Sequence, residues 1–212
     1  FGLNLGNTFK LSDRWVIKEI SRFDSNAVPA KTGDNSDAQN AVAAEIEEVV
    51  VVTHLIDAEN LSWFIVNDNV MGGRSSGGPT FAESAMIFEG EINTNGGGFS
   101  SVRIPLGTGT LTGITELVVR ARTDGRSYKL VLEDSLESRD RRVSQQGSLD
   151  FAATDEWQTA RVSFADLEPK IFGRDVQTQA FRADLATQLG VMISDGVDGP
   201  FRIEIDWIDA CR

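Results

Sequence analysis

An all-β sandwich or barrel is predicted by three features of this 212-residue sequence. Short stretches rich in β-branched and aromatic residues recur from Ile56 onward. The runs GGRSSGGP, NTNGGG, GTGTLTG, TDGR and SDGVDGP separate them with turn chemistry. The run FRIEIDWI alternates, which places Phe201, Ile203, Ile205 and Trp207 on one face and Arg202, Glu204 and Asp206 on the other.

Taken in order, residues 1–23 carry Phe9, Leu11, Trp15, Val16, Ile17, Ile20 and Phe23, and Ser12-Asp13 could cap a helix from Arg14 to Arg22. Residues 24–42 are polar and poor in large apolar groups, which reads as a linker. Strand character returns over Glu45–Leu55. Further strands are expected at Leu61–Val66, Thr80–Ile92, Gly98–Ile104, Thr115–Arg122, Ser127–Glu133, Trp157–Phe164, Gly190–Ser194 and Phe201–Ile208. The chain therefore divides into an extension, residues 1–50, and a β domain, residues 51–212. It begins at Phe1 without a charged-then-apolar leader, as a trimmed or processed chain would.

Composition excludes several classes of function. The formal charge of −12 disfavours free duplex nucleic acid as the main partner, because phosphate neutralisation needs a basic footprint. No apolar run approaches the roughly 20 residues of a membrane helix. A single cysteine, Cys211, excludes an internal disulfide and a Cys-cluster zinc site. A single histidine, His54, excludes sites that need two imidazoles within one chain. No Gly-x-Ser-x-Gly elbow accompanies His54, so a hydrolase triad is not expected.

The most distinctive motif runs from Trp63 through Asn67, Asp68, Met71, Gly72, Gly73 and Arg74 to Gly77. Asn67 and Asp68 can bond local backbone, so an ordered, self-satisfied loop is the preferred reading over a polar ligand site. In the second motif, Asn95 to Arg103, a β pattern follows the glycines and no Gly-Lys-Ser/Thr occurs, so a hairpin with a flexible tip is expected instead of a phosphate cradle.

These two motifs resemble the complex I intermediate-associated family of about thirty kilodaltons. So do Phe88-Glu89-Gly90, Asp124-Gly125-Arg126-x-Tyr128-Lys129, Asp198-Gly199-Pro200-Phe201 and Glu204-Ile205-Asp206-Trp207-Ile208. The resemblance runs from about Leu55 to Ala210, and departs at Thr123, where the family usually has glycine. It implies a jelly-roll β-sandwich of the galactose-binding-like type. It also implies a chaperone-like assembly factor for the membrane arm of a respiratory complex. A soluble chain is then expected, mitochondrial in a eukaryote and cytoplasmic or periplasmic in a bacterium. The same fold is similar to many carbohydrate-binding modules, which supplies a second expectation: a sugar bound on the concave face.

Alternation places Glu204, Asp206, Arg103, Lys129, Arg120 and Arg122 away from the core, on a mixed-charge face that could bind a sugar or a protein loop. An ordinary solvated face with ion pairs is the preferred alternative. Glu204 and Asp206 would lie about 6–7 Å apart on one strand, but glycosidase pairs flank their substrate from opposing walls. Asp195 and Asp198, or Asp134 and Glu137, could chelate calcium, without a recognisable spacing. The stretch Arg139-Asp140-Arg141-Arg142 reads as a solvated loop able to meet an acidic partner. No catalytic residue, metal or cofactor is expected. The candidates for partner or ligand contact are Trp63, Asn67, Asp68, Arg74, Asn95, Arg103, Tyr128, Lys129, Glu204 and Asp206.

Overall fold

The computed structural model describes residues 52–57, 63–82, 85–138 and 140–212. The expected helix Arg14–Arg22, the 24–42 linker and the 1–50 extension lie outside the described residues. In chain order the strands are β1 (Val52–Asp57), β2 (Phe64–Asn67), β3 (Ser76–Ala82), β4 (Ala85–Ile92), β5 (Ser100–Pro105), β6 (Glu116–Thr123), β7 (Tyr128–Asp134) and β8 (Glu137–Ser138). They continue as β9 (Arg141–Arg142), β10 (Ser144–Leu149), β11 (Thr154–Ser163), β12 (Glu168–Ile171), β13 (Arg174–Asp175), β14 (Ala186–Ile193) and β15 (Gly199–Cys211). Short 3-10 turns occupy Asp68–Met71, Phe164–Asp166 and Ala183–Leu185. No α-helix occurs among the described residues.

Two antiparallel sheets face each other. The first runs β11-β6-β15-β4-β3, with β1 paired to the C-terminal half of β15. The second runs β13-β12-β10-β7-β14-β5-β2. Strand periodicity explains the core between them: Met86, Phe88, Val119, Ile203 and Ile205 from the first sheet meet Val102, Leu130, Leu132, Leu189 and Val191 from the second. Phe88 and Phe201 meet edge-to-face with centroids 4.8 Å apart.

The structure corrects three expectations. Thr80–Ile92 is not one strand: Ala82 pairs with Ala85, so β3 and β4 form a hairpin, and β3 begins within the run read as a turn. Nothing between Ala82 and Ala85 carries glycine, proline or asparagine, so no turn signal marked the reversal. The Asn95–Gly98 loop is not a hairpin, because β4 and β5 belong to different sheets. Trp207 does not continue the inner face. A bulge between Ile205 and Trp207 shifts the alternation, so Ile208 and Ala210 fill the core and Trp207 is only half-buried. The polar strand β10 was not foreseen either, since its buried Gln145 and Gln146 give no apolar alternation.

Candidate functional site

The family-like motifs converge at one end of the sandwich, where the loops 68–75, 93–99, 124–127 and 194–198 join the two sheets. Asp68 is completely buried there. Its carboxylate accepts the Ser75 amide (2.9 Å) and hydroxyl (2.6 Å), the Gly98 amide (2.6 Å) and, more weakly, the Phe99 amide (3.4 Å). The Ser75 hydroxyl in turn accepts the Asn93 amide at 3.0 Å. A Cβ on Gly73 or Gly97 would overlap the Asp68 carboxyl group, so both positions need glycine for space. Burial alone would push the Asp68 carboxyl up, but the hydrogen bonds from Ser75, Gly98 and Phe99 outweigh it and hold the group below the usual carboxylate range. Asn67 accepts the Ser100 hydroxyl at 2.6 Å and links β5 to β3 through the Gly77 carbonyl.

A second knot lies beside the first. All five N–H donors of Arg126 are engaged: Nε and one Nη2 hydrogen on Asp195 (2.9 and 2.7 Å), the other Nη2 hydrogen on the Val197 carbonyl, and Nη1 on the carbonyls of Gly199 and Pro200 (2.9 and 2.8 Å). Burial raises the Asp195 carboxyl, and the Arg126 guanidinium with the Val197 amide more than offsets it. Asp124 accepts the Arg126 amide, the Tyr128 hydroxyl and the Arg202 amide. Burial first, and then the Asp124 carboxylate, push the Tyr128 phenol well above its ordinary range. Thr123 is buried and accepts the Gly125 amide at 3.1 Å, so its hydroxyl helps to hold the Asp-Gly-Arg turn. The knots are bridged where the Thr94 amide donates to Asp198 at 2.6 Å. A shallow recess of about 400 Å³ opens beside Arg126 and Asp198, but its principal polar groups are already bonded.

The other candidates do not share one face. Arg103 and Lys129 stand on the outer side of the second sheet, where Arg103 pairs with Glu133 and Lys129 donates to Ser194. Glu204 and Asp206 stand on the outer side of the first sheet, bonded to Arg122 (2.7 Å) and Arg120 (2.6 Å). Both guanidiniums lie over the Trp157 ring, 5.0 and 5.4 Å from its centroid. Burial raises the Glu204 carboxyl, but Arg122 and Arg202 hold it low, opposite to what a general acid requires. Trp63 and Tyr128 are 8% and 1% exposed and belong to the core, so neither offers a ring to a sugar. Arg74 and Asn95 are exposed on the loops, and Arg74 forms no ion pair among the described residues.

Among the described residues, no group of three or more His, Cys, Asp or Glu is placed to hold a metal ion. Asp195, Asp198 and Asp134 instead accept protein hydrogen bonds. No buried side-chain polar atom among the described residues lacks a partner.

This geometry defines a jelly-roll sandwich of the galactose-binding-like type, and solved structures share it. The family 11 carbohydrate-binding module of a cellulosomal cellulase from Clostridium thermocellum is similar, with a TM-score of 0.54 and 13% identity over 75% of this chain and 93% of that one. A family 30 carbohydrate-binding module is similar at a TM-score of 0.50 and 11% identity, over 76% of this chain and 99% of that one. At such identities the likeness concerns fold alone.

Residues 54–205 match the family described as "Complex I intermediate-associated protein 30", and the chain belongs to that family. A relative named "Probable complex I intermediate-associated protein 30, mitochondrial", from Caenorhabditis elegans, is 30% identical over 108 residues. The match takes in 44% of this chain and 28% of that protein, little more than a quarter of its length.

Proposed function

We propose that this chain is a non-catalytic protein-interaction module that acts as a chaperone-like assembly factor for a respiratory membrane complex of the complex I type. Family membership over residues 54–205 supports the process. One structural observation supports interaction as the mode of action. β2 and β3 close the two sheets on the same side of the sandwich and leave Phe64, Ile65 and Phe81 exposed. An apolar edge of this kind suits contact with other protein chains. The motifs that could have formed a catalytic cleft are instead internally saturated, as at Asp68 and Arg126. Among the described residues no helix is long and apolar enough to cross a membrane. The relative's printed name places that protein in mitochondria, and we assign this chain to the same compartment in a eukaryotic cell. We also assign residues 1–50 to an extension separate from the 51–212 domain.

The sugar-binding alternative has the fold in its favour, but Trp63 and Tyr128 are buried and Trp157 lies beneath two guanidiniums. Affinity capture of the tagged chain from its own cell extract tests the proposal. Co-purification of membrane-complex subunits supports it, and a comparison with and without residues 1–50 locates the contact. A bait that captures no such subunit, together with binding on a glycan array, overturns it.

A further inference from the structure

Most of the described arginines are held by carboxylates, and those that form no ion pair among the described residues include Arg74 and Arg212 as well as three that lie together. Those on the sheet faces and in the loop knot are held by carboxylates: Arg103 by Glu133, Arg120 by Asp206, Arg122 by Glu204 and Arg126 by Asp195. Arg141, Arg142 and Arg174 form no ion pair among the described residues, although the chain carries 12 more acids than bases. These three gather at one corner. Arg141 and Arg142 form β9, and Arg174 opens β13 opposite Ile171. Ser144 pairs with Lys170, so continuing the register brings Arg142 level with Phe172.

Phe172 caps the turn between β12 and β13. It is 63% exposed and has φ 49°, in the left-handed region that disfavours a bulky side chain. The only other non-glycine with positive φ among the described residues is Asp140 (φ 60°), next to Arg141. The Arg141 guanidinium lies over the Phe172 ring, 5.0 Å from its centroid. Both positive-φ positions therefore serve one corner, and they present an aromatic ring to solvent beside guanidiniums that have no carboxylate partner among the described residues. The acids near them are placed otherwise. Glu168 and Asp175 are bonded to Lys170, while Glu137 lies across the ladder from Arg142 without an ion pair among the described residues.

We propose that this corner, built from Phe172, Arg141, Arg142 and Arg174, binds an acidic segment of a partner protein, with carboxylates on the guanidinium forks and an apolar side chain on the Phe172 ring. The inference rests on the interaction-module reading and gives it a contact surface. Carboxylate is the anion that arginines elsewhere on this chain already hold, and the planar fork matches it in two-point geometry. A nucleic acid would need a longer basic track than three guanidiniums on a chain of net charge −12.

The test titrates a synthetic twelve-residue peptide of alternating glutamate and leucine into the full chain, with backbone amide NMR as readout. We expect shifts concentrated at residues 140–142 and 171–175, weakening with added salt. R141E/R174E should lose about tenfold or more in affinity while melting like the wild type. F172G removes the ring and relaxes the backbone, so it should melt at or above the wild type and bind about fivefold more weakly or worse. Shifts absent from the corner, affinity unchanged in R141E/R174E, equal binding of a lysine-for-glutamate peptide, or tighter binding of oligouridylate there would each overturn the proposal. Capture with R141E/R174E separates the two readings. Retention of the wild-type subunits removes the corner and leaves the module. Failure of the wild type to capture subunits removes the module, and the peptide titration then decides the corner alone.

Discussion

The loop end built around Asp68 and Arg126 and the corner around Phe172 use the same chemistry in opposite ways. At the loop end the buried charges are matched, and only the exposed Arg74 forms no ion pair among the described residues: Asp68 takes hydrogen bonds from Ser75 and Gly98, and Arg126 fills all five of its donors. At the corner, Arg141 and Arg174 have no carboxylate partner among the described residues and Phe172 stands in solvent. The loop end carries the motifs that mark the family, and those motifs hold the two sheets together. The corner carries no family motif, only the short charge run that includes Arg141 and Arg142, yet its groups are free to meet something else. A distinctive sequence motif can therefore record a packing requirement, while the proposed recognition surface rests on a short charge run and one exposed ring.

The largest expected effect of breaking this contrast is at Asp68. Asp68→Ala leaves buried donors at Ser75 and Gly98 without an acceptor, and should lower unfolding free energy by about 3–5 kcal/mol in denaturant titrations. Asp68→Asn should cost less, because one carbonyl oxygen remains. Arg126→Lys follows. A lysine cannot span Asp195 and three carbonyls, and the expected loss is about 2–3 kcal/mol.

Acid should act through the same groups. The folded-state pKa values of Asp68 and Asp195 lie below their unfolded values, so their stabilisation is fully present above about pH 4 and is lost as pH falls through the folded values. Equilibrium unfolding measured from pH 6 downward should show this loss. It should be shallower in Asp68→Asn, and an identical slope in that variant would remove Asp68 from the account.

Effects on the saturated outer face should be smaller. Arg122→Ala removes an ion pair to Glu204 and one guanidinium over Trp157, at partly exposed positions, for about 0.5–1 kcal/mol. At the corner, R141E/R174E should change stability by less than about 0.5 kcal/mol. A large loss there would mean that the corner is structural, and the contrast would disappear.

The clean alternation was legible: the first half of β15 places Phe201, Ile203 and Ile205 in the core as the sequence predicts, and β6 and β7 lie where strands were expected. Asp68 was legible as a residue that would bond the local backbone. Its partners were not, because Gly98 is 30 positions away and only the packing of two sheets brings it near. Arg103 and Lys129 shared with Glu204 and Asp206 only the property of pointing outward. Alternation cannot say which sheet a strand joins, and the two pairs lie on opposite faces. β3 and β10 were hidden for a different reason. Glycine and proline in Ser76–Ala82, and glutamines in Ser144–Leu149, suit strands whose pairing comes from neighbours more than from side-chain pattern. Phe172 was invisible, since one exposed aromatic among polar residues carries no signal until its backbone angle and the Arg141 contact are seen.

The central claim is that the family-like motif supplies stability while the corner supplies recognition. The most direct measurement is titration of the glutamate–leucine peptide into Asp68→Asn and R141E/R174E side by side, well below the melting temperature of either, with each variant's unfolding curve recorded on the same sample. The account predicts that Asp68→Asn is destabilised and binds like the wild type, and that R141E/R174E is as stable as the wild type and does not bind. An Asp68→Asn protein that keeps its stability but loses the peptide, with R141E/R174E binding normally, would contradict it.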